Sequence, residues 1–247
     1  MRKQKKQKIS SGHAILWIVM ISTVLLGLGI WYVVRAEQAK RIKEYIAQYP
    51  VAGIDVSSHN GNVDFNEVYA DSIRFVYIKC SEGASFHDRN FDKNYENARK
   101  TGIAVSAYHF FRFDVNGTLQ AQNFLSRLKG KTIDFPLAID VEKDGNPTTQ
   151  TDIIVSRLQE MINYLEERNI PVIIYTNMEG HDRFCKKYFA NYPLWLARFR
   201  KPDSDIDWSV WQYSHEHEVP GIKGDVDMNV FCGSESDFAA WLGKYSF

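Results

Sequence analysis

Short apolar runs alternate with longer amphipathic segments along the chain from Val51 onward. Several of these runs lack polar alternation, which is typical of parallel strands buried on both faces. Three of the amphipathic segments (92–99, 119–128 and 153–168) predict helices, and each follows a capping candidate. The eight predicted strands are VAGIDV (51–56), IRFVYIKC (73–80), GIAVSAYHFF (102–111), FPLAIDVE (135–142), IPVIIYTN (170–177), YPLWLARF (192–199), VWQYS (210–214) and VDMNVF (226–231). The capping candidates are Asn90, Asn116 with Thr118, and Asp152.

This order of elements predicts an α/β fold. Strands that alternate with helices favour a β/α barrel of the TIM type, with a largely parallel sheet closed on itself. The last three predicted strands are separated by short segments that leave no room for full helices. We therefore expect the second half of the barrel to be irregular.

The N-terminal part has a different pattern. Residues 14–34 carry no charge over 21 positions, and at 1.5 Å per residue they span roughly 30 Å, the thickness of a bilayer core. Residues 1–8 hold five basic groups, which predicts a cytoplasmic N-terminus. A cleaved signal peptide is the alternative, although its apolar core usually has only ~7–15 residues. Both interpretations export the rest of the chain.

The expected organisation is therefore a basic cytoplasmic tail (1–13), a transmembrane anchor (14–34), a charged stalk (35–50) and one globular domain (51–247). The chain of 247 residues has 30 basic and 30 acidic groups, but 51–247 alone carries a net charge of about −7. An acidic domain argues against nucleic acid as the partner, because phosphate binding needs clustered Lys and Arg. The three cysteines show no zinc-binding spacing, and burial as small apolar side chains is the favoured interpretation.

Carboxylates stand at the ends of three predicted strands. Asp55 closes the first, Asp140 and Glu142 close the fourth, and Asp227 lies in the last. In a β/α barrel the carboxyl ends of the strands form the rim of the active site, so these acids should converge. Asp140 and Glu142 lie two positions apart on one strand face, about 6–7 Å along the backbone.

Crowded carboxylates favour acid–base chemistry on a sugar. Burying several of them together raises the pKa of at least one, so that one acid keeps its proton while a neighbour stays charged. Glycoside hydrolysis needs this division, because one acid protonates the leaving oxygen and another group stabilises the oxocarbenium-like centre. A glycan-binding module without catalysis and a metal-dependent deacetylase remain alternatives.

Other chemistry-bearing side chains occur at the same strand ends. Tyr108, Tyr175 and Trp195 are expected to line the cleft, because flat rings suit the faces of sugars, whereas Trp211 is expected in the core. Lys79 ends the second strand and could pair with the acids. The four histidines considered as metal ligands more often serve other roles, and no metal is expected. They are His59, His109, His215 and His217.

With these residues assembled, the chain resembles the family 25 glycoside hydrolases, the muramidase-type lysozymes. The resemblance covers most of the domain. It is carried by GIDVSSHNG (53–61), FVYIKCSEG (75–83), AYHFFR (107–112), LAIDVE (137–142), IIYTN (173–177), PLWLAR (193–198), WQYS (211–214) and VPGIKGDVDMNVF (219–231).

The resemblance implies an irregular β/α barrel of about five β/α units with a few further strands. It also implies cleavage of the β-1,4 bond between N-acetylmuramic acid and N-acetylglucosamine in peptidoglycan. We expect no cofactor and a monomeric protein. Glu142 would be the general acid, Asp140 its partner in either a covalent or a substrate-assisted route, and Asp55 and Asp227 the flanking acids. Lys79, Tyr108, Tyr175, Trp195 and Gln212 would bind substrate.

Overall fold

The computed structural model describes residues 11–247, with side chains from residue 15 onward. Most of the predicted basic tail therefore lies outside the described residues. The described part begins with one uninterrupted helix, α1 (Ser11–Ile46), which contains the predicted span 14–34 and most of the predicted stalk. From Ile15 to Ile46 this helix is long and apolar enough to cross a membrane, and a signal sequence would show the same composition.

A second compact unit runs from Ile46 to Phe247. Its strands match the eight predicted runs to within a few residues, with one short addition, β3. They are β1 (Ala52–Val56), β2 (Ile73–Glu82), β3 (Phe86–His87), β4 (Ala104–Phe110), β5 (Leu137–Asp140), β6 (Val172–Asn177), β7 (Leu194–Ala197), β8 (Val210–Glu218) and β9 (Asp225–Phe231).

Eight of the nine strands found in residues 11–247 form a closed barrel. The order around it is β1-β2-β4-β5-β6-β7-β8-β9, and β9 returns to pair with β1. Seven of these strands run parallel, while β9 is antiparallel to both of its neighbours. The prediction of an irregular TIM-like barrel is confirmed.

Helices follow the first five barrel strands, and short loops join the last three. The outer layer consists of α2 (Phe65–Ala70), α3 (Phe91–Ala98), α4 (Gly117–Leu128), α5 (Thr151–Glu166), the short α6 (Met178–Gly180) and α7 (Lys186–Tyr188) joined by a π-helical segment (His181–Cys185), and the C-terminal α8 (Glu235–Tyr245). The buried side of α5 is the predicted stripe of Ile154, Leu158, Met161, Ile162 and Leu165.

The three predicted caps differ in outcome. Asn90 occupies the N-cap position of α3, but its side chain makes no capping hydrogen bond, and its amide donates to the carbonyl of Gly61. Asp152 lies inside the first turn of α5, where a carboxylate still favours the positive end of the helix dipole. Asn116 is confirmed, since its side chain accepts a hydrogen bond from the backbone N–H of Leu119.

Aromatic side chains fill the barrel at the end where its parallel strands begin. The ring of Phe238, on α8, lies 5.6 Å from that of Phe75 and 5.2 Å from that of Phe231. Gly53 on β1 faces the same space, and a Cβ there would lie 2.3 Å from the Phe75 ring. Glycine is therefore needed where the backbone meets this ring. The α8 side chains close this end of the barrel, and the opposite end is left for the site.

Candidate active site

A cavity of about 110 Å³ opens at the carboxyl ends of the parallel strands. Every lining residue comes from a barrel strand or from the two positions that follow β5. The lining residues are Asp55, Tyr108, Asp140, Glu142, Tyr175, Trp195, Gln212 and Asp227. Eight of the nine residues proposed from the sequence are thus brought together, because alternate residues of each strand point into the barrel.

Lys79, the ninth, lies next to this cavity without lining it. Its ammonium pairs with Glu82 at 3.1 Å and sits 5.1 Å from the centre of the Phe110 ring. The expected ion pair with a cleft acid is therefore replaced by one with Glu82. Its positive charge still lowers the pKa values of Asp140 and Glu142 against the effect of burial.

Asp55 and Asp227 face each other across the β1–β9 pair. Burial, followed by the charge of Asp227, raises the pKa of Asp55 well above its usual range. The hydrogen bond between the two raises the pKa of Asp55 and lowers that of Asp227. Burial raises the pKa of Asp227 as well, so both carboxyl groups of the pair resist ionisation.

Two side-chain amides hold Asp55 in place. The Trp195 indole donates to Asn229 Oδ1 at 2.7 Å, and Asn229 Nδ2 donates to Asp55 Oδ2 at 2.8 Å. In parallel, the Tyr175 hydroxyl donates to Gln212 Oε1 at 2.9 Å, and Gln212 Nε2 donates to the same Asp55 oxygen at 2.9 Å. Because an indole can only donate, the first chain fixes which end of the Asn229 amide faces Asp55.

Asn229 is a site residue that the sequence analysis missed. It is fully buried and lies two positions after Asp227 on β9, so strand alternation turns both side chains to the same face. That spacing was available in the sequence as Asp-Met-Asn. From the sequence alone, an asparagine that orients an acid cannot be distinguished from one that only stabilises the fold.

Asp140 and Glu142 form the second acidic pair. Asp140 ends β5, is buried, and has an Oδ1 without a hydrogen-bond partner among the described residues. Burial and then the charge of Glu142 raise the pKa of Asp140 well above its usual range. Burial, with smaller contributions from Asp144 and Asp227, raises the pKa of Glu142 to about 7. Glu142 therefore keeps its proton to a higher pH than an unperturbed glutamate does, as a general acid requires.

The backbone around Glu142 is tightly held. The N–H of Val141 donates to the carbonyl of Tyr175 at 2.9 Å, and the Thr176 hydroxyl donates to the carbonyl of Val141 at 2.6 Å. The Asn146 amide donates to the Glu142 carbonyl at 2.9 Å. The first two bonds continue the β5–β6 contact beyond the end of β5, and the third holds the backbone of Glu142 itself. The Glu142 side chain therefore projects from a fixed position at the rim.

Asp144 offers a test of the Glu142 assignment through pH. It is exposed, and its charge is the second cause of the raised pKa of Glu142. The Asp144→Asn variant should lower that pKa. When the pH is raised, activity that needs protonated Glu142 should then fall at a lower pH than it does in the parent. The measurement is kcat/KM against pH, which reports the pKa of the free enzyme. Asp71→Asn, an exposed aspartate after α2, is the control and should keep the parent profile. An alkaline limb that stays in place or moves upward in Asp144→Asn would contradict the assignment.

The remaining candidates have structural surroundings or lie outside the cavity. His109 is fully buried between Ser81 Oγ at 2.8 Å and Gln120 Oε1 at 3.2 Å, and burial lowers its pKa to about 3. His215 and His217 lie on the exposed outer part of β8. No group of three or more His, Cys, Asp or Glu side chains within residues 11–247 is arranged to hold a metal ion.

Tyr108, Tyr175 and Trp195 line the cavity, as expected, but they differ in how far their side chains are exposed. Trp195 lines the cavity but is only 2% exposed, since its ring stacks on Tyr77 at 4.2 Å and meets the edge of Tyr175 at 4.7 Å. It forms the floor, whereas Tyr108 and Tyr175 are half-buried at the walls. Trp211 is fully buried in the core, as expected.

The chain is similar to known proteins in both sequence and fold. A family model described as glycosyl hydrolases family 25 matches residues 54–222. The uncharacterized protein YegX of Escherichia coli O157:H7 is 32% identical over 205 residues, covering 79% of this chain and 75% of that protein. Lysozyme M1 of Streptomyces globisporus is 32% identical over 207 residues, covering 77% and 70%. The structure of a family 25 glycosyl hydrolase from Bacillus anthracis aligns with a TM-score of 0.71 at 34% identity, covering 78% of this chain and 94% of that one.

Proposed function

The chain belongs to family 25 of the glycosyl hydrolases, and from that premise we propose how its residues act. It is a muramidase that hydrolyses the β-1,4 bond between N-acetylmuramic acid and N-acetylglucosamine in peptidoglycan. Similar proteins include a lysozyme of Streptomyces globisporus and an autolytic lysozyme of Clostridium acetobutylicum. The observation that carries the proposal is that Glu142, whose pKa burial raises to about 7, shares one cavity at the open end of the barrel with the buried Asp140.

Glu142 acts as the general acid. Its proton goes to the glycosidic oxygen as the bond to the anomeric carbon breaks, and the resulting carboxylate then takes a proton from the attacking water. A pKa of about 7 suits this exchange, because both protonation states are accessible at neutral pH. Asp140 lies beside it and stabilises positive charge that develops at the sugar, either directly or by holding the substrate's acetamido group.

The Asp55–Asp227 pair sets the electrostatics of the cleft. After burial and Asp144, the charge of Asp227 adds to the raised pKa of Glu142. Tyr108, Tyr175 and Gln212 provide hydroxyl and amide groups at the walls, and the almost fully buried Trp195 closes the floor. The positive charge of Lys79 opposes the rise that burial causes in the pKa values of Asp140 and Glu142.

The proposed location of the enzyme rests on α1. A helix of this length and hydropathy near the N-terminus has the composition of a signal sequence or a membrane anchor. The finer proposal is a single-pass anchor at 14–34 with the N-terminus in the cytoplasm and residues 51–247 outside, as a monomer. It rests on the 21 uncharged residues and on the basic groups that precede them.

The deciding experiment is mass spectrometry of the products released from purified peptidoglycan by the full-length protein in detergent. We expect muropeptides with muramic acid at the reducing end. Reducing-end glucosamine would replace the proposal with glucosaminidase activity. Glycan binding without new reducing ends would indicate a non-catalytic module, and release of acetate that EDTA abolishes would indicate a metal-dependent deacetylase.

A further inference from the structure

The acidic cavity is too small to account for binding of a glycan strand. Its volume is about 110 Å³, whereas ordinary ligand pockets start near ~300 Å³. One end of the barrel is closed by α8, so the strand has to extend over the rim at the open end. Sugar units outside the cavity therefore need contacts that its eight lining residues do not provide.

Two exposed rings lie together on this rim. The centres of the Phe199 and His215 rings are 4.2 Å apart, with an angle of 54° between their planes. Phe199 is 49% exposed and the His215 side chain is 51% exposed. Phe199 lies two residues after the end of β7, and His215 lies on the outer part of β8. Both therefore stand at the carboxyl ends of their strands, the same end as the cavity.

The pair lies near one of the cleft acids. Ser214 on β8 pairs with Met228 on β9 and His217 pairs with Val226, so His215 lies on the irregular stretch of β8 that runs beside Asp227. Burial raises the pKa of Asp227, and His215 is close enough for its charge to oppose that rise. Since Asp227 lines the cavity, the ring pair lies next to the cleft.

A single exposed apolar side chain would need no explanation. Here, however, a half-exposed phenyl ring packs against an imidazole, next to an acid that can accept a hydrogen bond from a hydroxyl. An aromatic face offers apolar contact to the C–H face of a pyranose, and the imidazole and carboxylate offer polar contacts to its substituents.

We propose that Phe199 and His215 form an outer saccharide subsite, which binds an N-acetylhexosamine unit of the same glycan strand beyond the bond being cleaved. The subsite rests on the proposed muramidase function and adds to it a preference for long strands. Phe199 supplies the stacking surface. His215 supports the ring and provides a polar atom at its edge.

The test compares Phe199→Ala, Phe199→Trp and His215→Ala in the full-length protein, in detergent, with glycan oligomers of increasing length. In Phe199→Ala we expect KM for long strands to rise about five- to tenfold, the range of one aromatic contact. The rise for the shortest cleaved oligomer should be smaller, and kcat should change less than KM. Phe199→Trp should restore the parent KM. His215→Ala should show a smaller effect in the same direction.

Tyr188→Ala is the matched control, because this half-exposed aromatic residue lies on α7, away from the rim. It should keep the parent KM at every length. A Phe199→Ala protein with an unchanged KM, or with the same rise for short and long oligomers, would overturn the subsite. A parent protein that releases no reducing ends would instead overturn the muramidase function. Titration of long strands into the Glu142→Gln background then tests the subsite by binding alone, and equal affinity with and without Phe199→Ala would overturn it.

Discussion

Replacing Glu142 with glutamine should reduce peptidoglycan hydrolysis by a factor on the order of 10³ or more, near the upper range for loss of a positioned general acid. Glutamine has almost the same shape, but it has no acidic proton to give to the glycosidic oxygen. The loss should therefore appear in kcat, while KM and the melting temperature stay close to those of the parent. Release of reducing ends from purified peptidoglycan, measured at several substrate concentrations, separates kcat from KM.

The control for this change is Glu96→Gln, at an exposed position on α3. It alters the same functional group without affecting the cleft, so activity should remain at the parent level. If Glu142→Gln retained activity within a few-fold of the parent, Glu142 would not be the general acid. Asp140, with its raised pKa, would be the next candidate.

Asp140→Asn should cost on the order of 10²–10³ in kcat, comparable to the removal of one electrostatic contact with the transition state. The Asp140 carboxyl group lines the cavity, and its Oδ1 has no hydrogen-bond partner among the described residues. The change removes negative charge where the sugar becomes positive. Because Asp140 is buried beside Glu142, the neutral amide should also relieve repulsion, and the folded protein should be at least as stable as the parent.

The same variant can distinguish the two routes proposed for Asp140. Parent and Asp140→Asn proteins would each be assayed on intact and on de-N-acetylated peptidoglycan. If Asp140 acts by holding the acetamido group, removing either partner should cost nearly as much as removing both. If it acts directly on the sugar, the two losses should multiply. Equal activity of Asp140→Asn and parent on intact substrate would contradict both routes.

The sequence predicted the barrel well because its strands are buried on both faces. Apolar runs such as those of β2, β4 and β6 have few alternative structures, and the acids stand out at the ends of β1 and β5 and in β9. The two-residue β3 has no such pattern, since it exists only through its pairing with the end of β2. The outer part of β8 was also missed. Its exposed His-Glu-His-Glu segment extends as a strand only because β9 lies alongside.

Helix α8 was missed although its pattern is present in the sequence. A capping box at Ser234 and Asp237 marks its start, and Phe238, Trp241, Leu242 and Tyr245 follow at the i, i+3, i+4, i+7 spacing of an amphipathic helix. The helix is held by the aromatic side chains of the barrel interior, which no local pattern contains. Asn229 was missed for the related reason that its role depends on Trp195 and Asp55, which lie far from it in sequence.

The position of β9 has a consequence for the timing of activity. This strand is the last of the barrel in chain order, yet it fills the gap between β8 and β1 and contributes Asp227 and Asn229. A nascent polypeptide that ends before residue 225 lacks both the closed sheet and the partners of Asp55. Activity therefore requires that synthesis has passed β9, and a truncated chain that ends before residue 225 should be inactive.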